Sequence, residues 1–172
     1  MALAELQQQI EAAIAAADAH MGVSMRHLEK GDEININADE LFPMASVLKI
    51  PVLVEAARQM DAGKFTLDDR WELTVAEKNL GSGVLTFFDD GLLPTVRDLL
   101  TLMIIISDNT ATDMSVALVG GAEAVEAYMH ELGLNDIYVK MDCKTLLKGL
   151  FPPEVRDLPV EQIKEWSKEN DI

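Results

Sequence analysis

The stretch Phe42-Pro-Met-Ala-Ser46-Val-Leu-Lys49-Ile-Pro-Val-Leu53 decides how this chain is read. From Ala45 onward the pattern turns helical, and Ser46 to Ala62 reads as one helix ending at Gly63, a favoured C-cap residue. Pro51 falls in its first turns, where a missing N–H does least harm. Ser46 and Lys49 are three residues apart and share a helix face, one turn from each other. The positive end of the helix lies at Ser46. A serine there can attack a carbonyl while neighbouring backbone N–H groups hold the developing oxyanion. A lysine in a partly dry cleft can lose its proton and act as the base. Alone the pair is a weak signal. Composition supplies about one Ser-x-x-Lys in a chain of this length, and most are an N-cap followed by an exposed charge.

A second polar element, Ser107-Asp108-Asn109, follows the apolar run Leu99 to Ile106, 61 residues after Ser46. The ordinary reading is a helix stop, with Asp108 or Asn109 capping the next helix. The functional reading has Ser107 relay a proton while the Asn109 amide orients both Lys49 and a substrate amide.

Around these two elements the chain reads as one organised whole. Leu3, Leu6, Ile10, Ile14 and Ala17 share a face, so residues 3–20 read as an amphipathic helix. Val23 to Glu29 and Glu33 to Asn37 alternate about the turn Lys30-Gly31-Asp32, which predicts a β-hairpin. Gly81-Ser82-Gly83 centres a loop. Thr95-x-x-Asp98 reads as a capping box for a helix over Val96 to Ile106. Met103-Ile-Ile-Ile106 is apolar on every side, which predicts protein on both faces. A helix starts near Asn109, with Thr110-x-x-Asp113 as its capping signal, and stops at Gly120-Gly121. Residues 122–131 form another helix closed by Gly133, and Ile137 to Val139 is a short extended piece. Pro152-Pro153 breaks the chain, and Pro159 opens a last helix to about Lys168.

Composition narrows the function classes. The 172 residues carry 14 Lys+Arg against 30 Asp+Glu, a formal net charge of -16. A pI near 4.4 argues against nucleic acid or an anionic membrane as the partner. The longest apolar run, Leu99 to Ile106, has eight residues and is interrupted by Thr101, whereas a membrane span needs about 20. The N-terminus has no basic region before its Ala-rich stretch, so it does not read as a signal peptide. As written the chain is expected in the cytoplasm, and an exported parent protein stays open. Cys143 is the single cysteine and reads as a small core residue. His20, His27 and His130 are scattered, no metal-ligand spacing appears, and neither a metal nor a cofactor is expected.

Ser-x-x-Lys followed by Ser-Asp-Asn is the signature of class A β-lactamases and penicillin-binding proteins. The surroundings resemble that family too. Phe42 to Leu53 looks like its nucleophile segment, and Gly81-Ser-Gly-Val-Leu85 like its loop beside the cleft. Thr95-Val-Arg-Asp-Leu-Leu100 and Ser107-Asp-Asn-Thr-Ala-Thr112 are similar to its central helices. The resemblance covers about residues 3–140. It implies an α+β, mostly helical fold: β-lactamase/transpeptidase-like, lacking the C-terminal strands, with an N-terminal β-hairpin. Residues 1–172 are then a single partial domain, with helix and hairpin in 1–40 and a helical region in 41–172.

The roles implied by the resemblance are these. Ser46 is the acylated nucleophile, Lys49 accepts or shuttles its proton, and Ser107 passes a proton to the leaving nitrogen. Asn109 binds the substrate's amide side chain, and Asp108 holds the loop. The substrate is a β-lactam or an acyl-D-alanyl peptide of peptidoglycan type. Two family elements have no counterpart. No Lys-Thr-Gly follows, since Lys144-Thr145 leads into Leu146. The deacylating glutamate of a Glu-x-x-Leu-Asn loop is also missing. Glu154 and Asp142 are the nearest carboxylates, and the base is assigned to neither. Three readings therefore stand: a serine hydrolase, a penicillin-binding protein that acylates without turnover, and a non-catalytic truncated remnant or binding module. The missing strands imply an open sheet edge through which the chain self-associates.

Overall fold

Leu6, Ile10 and Ile14 make the half-buried stripe of helix α1, Leu3–Ala16, in a computed structural model that describes residues 2–170. The helix is shorter than the expected 3–20, because Asp18 takes a left-handed backbone at φ 48 and breaks it. Strands β1, Val23–Arg26, and β2, Glu33–Ile36, pair antiparallel with Met25 opposite Ile34. Gly31, at φ 75, supplies the turn conformation that side chains resist. Packing of α1 against β2 buries Ile34, which is 1% exposed. The described residues divide into two compact units, one up to Pro43 and one from Met44.

The second unit is helical. A 3-10 turn, Ala45–Leu48, runs directly into α2, Lys49–Asp61. The expected single helix from Ser46 thus begins as a tighter turn, with the N–H of Val47 donating to Met44 O at 2.9 Å. Then come α3, Val96–Ile105; α4, Asn109–Leu118; and α5, Ala122–Glu131. Two shorter helices, α6, Cys143–Lys148, and α7, Pro153–Arg156, are followed by α8, Val160–Glu169. The Thr95–Asp98 capping box forms in both directions at the head of α3. Val52, Ala56, Leu73, Leu99, Met103, Met114 and Val125 make the main core, where α2, α3, α4 and α5 meet. Leu80, Val155, Val160 and Ile163 form a second cluster under α7 and α8. Burying each of the larger side chains contributes about 1.5–3 kcal/mol.

Several expectations need correction. Helix α3 is covered on one face only. Val96, Leu99, Leu100 and Met103 are buried, but Ile104, Ile105 and Ile106 are 45%, 74% and 40% exposed. Periodicity marks which residues are apolar and says nothing of how many neighbours the helix has. Thr110 and Asp113 make no cap. Asp108 caps α4 by accepting from the N–H of Ala111, and Asp113 accepts from Asn79, Cys143 and Lys144 instead. Ile137 to Val139, expected only as a short extended piece, pairs with no strand among the described residues. Helices α6 and α7 were not expected from the pattern, being too short to show a period.

Candidate active site

Three segments of the helical unit deliver the polar cluster. The first is the turn before α2. Ala45 opens it in a left-handed conformation at φ 44, and Ser46 follows, exposed, in a turn closed by the N–H of Val47 donating to Met44 O. One turn on, Lys49 is only 3% exposed. The second is the break between α3 and α4. Ser107 adopts φ 58, which folds the chain back so that its carbonyl and hydroxyl both face α2. The third is the loop around Gly81 and Gly83.

Lys49 Nζ is the hub. It donates to Ser107 Oγ at 2.6 Å, Ser107 O at 2.8 Å, Asn109 Oδ1 at 2.9 Å and Ser46 Oγ at 3.2 Å. Ser107 Oγ in turn donates to Ser46 Oγ at 3.0 Å. An ammonium has three protons, so four acceptors leave one of them unserved. Burial pulls the Lys49 amine below its ordinary value, against the opposing pull of Cys143, Asp108 and Asp113. As a free amine it can take the Ser46 proton directly or through Ser107.

Asp108 faces away from this hub. Fully buried, it accepts from the N–H of Val84 at 2.7 Å and of Leu85 at 3.0 Å, besides capping α4. A Cβ on Gly83 would lie 2.3 Å from Asp108 Cγ, so only glycine lets the loop come this close. Asn109 donates from Nδ2 to Leu80 O at 2.9 Å, which aims its oxygen at Lys49. Its backbone N–H reaches Ser82 O, also at 2.9 Å.

Two residues were missed by the sequence reading. Ser82 Oγ donates to Ser107 O at 2.7 Å, so the loop clamps the strained residue from outside. Asn79, buried behind the loop, bonds Asp113 and Asn109 O. Only their place beside the paired glycines pointed to them.

Beside Ser46 lies a cleft of about 140 Å³ lined by Ala45, Leu48, Asn109, Cys143, Leu146 and Leu147. None of these lining residues is a carboxylate. Asp142 caps α6 by accepting from the N–H of Thr145, and Glu154 is exposed in the first turn of α7. Among the described residues, no hydrogen bond or ion pair ties either to the cluster. The buried Cys143 thiol is pushed up to about 12 by burial and is inert at neutral pH. Among the described residues, no group of three or more His, Cys, Asp or Glu could hold a metal ion.

Ser46, Lys49, Ser107 and Asn109 thus share one hydrogen-bonded cluster. Residues 5–165 match the model of the β-lactamase enzyme family. The chain is 28% identical over 137 residues to β-lactamase VEB-1 of Pseudomonas aeruginosa, covering 78% of this chain and 46% of that one. A β-lactamase from Sphaerobacter thermophilus is 40% identical with a TM-score of 0.71, over 77% of this chain and 51% of that one. PBP-A, solved as its L158E mutant in an acyl-enzyme complex with penicillin G, is 32% identical with a TM-score of 0.73, again over 77% and 51%. The chain therefore spans about half the length of these relatives. On its sequence, its fold and its family match, the chain belongs to the β-lactamase enzyme family.

Proposed function

We propose that this chain carries the acylating machinery of a serine hydrolase of β-lactamase type. The observation that carries the reading is the buried Lys49 amine within hydrogen-bond reach of both Ser46 Oγ and Ser107 Oγ. Ser46 Oγ attacks the carbonyl carbon of a β-lactam or acyl-D-alanyl amide, and its proton passes to Lys49, directly or through Ser107. The C–N bond then breaks, and Ser107 hands its proton to the leaving nitrogen while taking one back from Lys49. An ester on Ser46 results. Positioned proton transfer of this kind contributes about 10²–10⁴ in rate. Asn109 holds Lys49 by its oxygen, and its second Nδ2 proton remains to meet a substrate amide.

The apolar cleft favours acylation over turnover. Water needs a base to attack the ester, and Cys143, Leu146 and Leu147 offer none. The chain then behaves like a penicillin-binding protein whose adduct persists. Intact-mass spectrometry after incubation with penicillin G is the test, with Ser46→Ala as control. The expected result is one long-lived adduct on the wild type and none on the variant. Rapid multiple turnover overturns the persistence. A folded wild type that never gains mass overturns the hydrolase reading and leaves a non-catalytic binding module.

A further inference from the structure

We propose that Ser46 also takes acyl groups from uncharged esters with an unbranched aliphatic chain, and that the apolar cleft beside it is the pocket for that chain. The proposal rests on the acylation reading above and names a second class of acyl donor for the same serine. Of the residues that line the cleft with Ser46, Ala45, Leu48, Cys143, Leu146 and Leu147 present carbon and sulfur, and Asn109 is the polar one. Asn109 gives its oxygen to Lys49 and one Nδ2 proton to Leu80 O, so a single proton is left for the cleft. The wall is backed from behind. Leu147 packs against the second apolar cluster. A Cβ on Gly81, at φ 78, would lie 3.5 Å from Leu147 Cδ1 and 2.8 Å from Asn109 Nδ2, so glycine lets the loop close against both. Leu146 is 47% exposed and leaves the cleft open to solvent. Ile50, four residues after Ser46 and so on the same side of the helix, is bare as well. A volume of about 140 Å³ suits a short chain.

Charge selects within that class. None of the residues lining the cleft is charged. The Lys49 amine is already surrounded by four acceptors and has no proton to spare for a substrate anion. Lys144 and Lys148 of α6 are held by the carbonyls of Ala76 and Leu158, and neither lines the cleft. The net charge of -16 repels anions at longer range. A carboxylate at the end of the acyl chain would lose its water and find no partner, whereas each methylene gains by leaving water. The step needs no added group. Ser46 Oγ bonds to the ester carbonyl carbon, and its proton passes to Lys49, directly or through Ser107. The bond from that carbon to the leaving oxygen breaks, and Ser107 hands its proton to this oxygen while taking one back from Lys49. An alcohol departs, and the acyl group stays on Ser46 as a new ester. The Cys143 thiol, pushed up to about 12 by burial, does not compete as a nucleophile.

The test is acylation of the whole chain by 4-nitrophenyl esters, read as release of 4-nitrophenol and as gain of intact mass. Each rate is divided by that ester's hydrolysis without protein. Acetate, butanoate and hexanoate form the length series, and the adipate monoester puts a carboxylate where hexanoate has its methyl. Ser46→Ala subtracts reaction at other side chains, and penicillin G runs alongside. The rate is expected to climb up to about fourfold per added methylene. The adipate monoester should react about tenfold more slowly than hexanoate, and Leu146→Lys should reverse that order. Should Leu146→Lys not fold, the wild-type series decides alone. Equal rates along the series, or an adipate monoester as fast as hexanoate, overturn the proposal. A penicillin G adduct with no adduct from any ester overturns it too and leaves β-lactam acylation standing. Ester adducts that follow the series, without a penicillin adduct, do the reverse. No adduct from either class overturns both.

Discussion

The chain up to Pro43 and the chain from Met44 hold themselves together by different means. Among the described residues of the first, Ile34 is the single buried side chain. A pair of four-residue strands with one helix is marginal in water. The second buries two apolar clusters and, inside them, Lys49, Glu55, Asn79, Asp108, Asn109 and Thr112. Every buried side-chain nitrogen and oxygen among the described residues has a partner. A satisfied polar interior is what can bury a lysine amine and lower its affinity for protons, and among the described residues only the second unit buries one.

The sharpest way to break this contrast is chemical. Lys49→Ala is expected to slow penicillin acylation by about 10²–10⁴ in a chain that still melts cooperatively. Changes at Met25 or Ser24 should leave the acylation rate untouched. An equal loss from the hairpin, read by the same mass assay, would end the distinction.

Next in size is packing. Met103→Ala empties a core site and should cost about 2–5 kcal/mol in chemical denaturation. Ile34→Ala should act locally instead. Hydrogen exchange over Val23–Ile36 accelerates, and the main transition does not shift.

The third effect is a pH slope. The folded Lys49 amine sits below its unfolded value of 10.5. Between the two values the unfolded chain binds more protons, so stability rises with pH across that window. Lys49→Met should flatten the rise in denaturation curves taken from neutral pH upward to about 10. An unchanged slope would show that the amine keeps its ordinary affinity for protons. Smallest of all is Ile105→Ser on the open side of α3, expected within about 0.5 kcal/mol of the wild type. Its visible result should be less self-association in sedimentation. No change there would show that this side of α3 is not the sticky one.

The sequence carried the site further than it carried the packing. Ser-x-x-Lys and Ser-Asp-Asn were legible because acyl transfer restricts residue type at fixed spacing, and the structure brings all four side chains together. Thr95–Asp98 was legible for a similar reason, since a capping box is local chemistry. The open side of α3 was not, because Ile104 to Ile106 look the same in sequence whether covered or bare. Helix α6 hid behind its length. Six residues show no period, and Asp142, its cap, looked instead like a spare carboxylate. Asp113 was misread as a cap partner because its donors come from residues 79, 143 and 144, which no local pattern links.

Ala45 and Ser107 bring one further consequence. Both hold left-handed backbone without being glycine, each at a cost of about 1–3 kcal/mol. One aims the nucleophile's turn, and the other turns a carbonyl and a hydroxyl toward the amine. Heat resistance and chemistry therefore make opposite demands at Ser107, whose hydroxyl glycine or asparagine would remove, whereas glycine at 45 would keep the turn. A laboratory lineage selected for thermal endurance alone should take glycine or asparagine at 107, and glycine at 45, among its first gains. Its most durable descendants would be those least able to acylate.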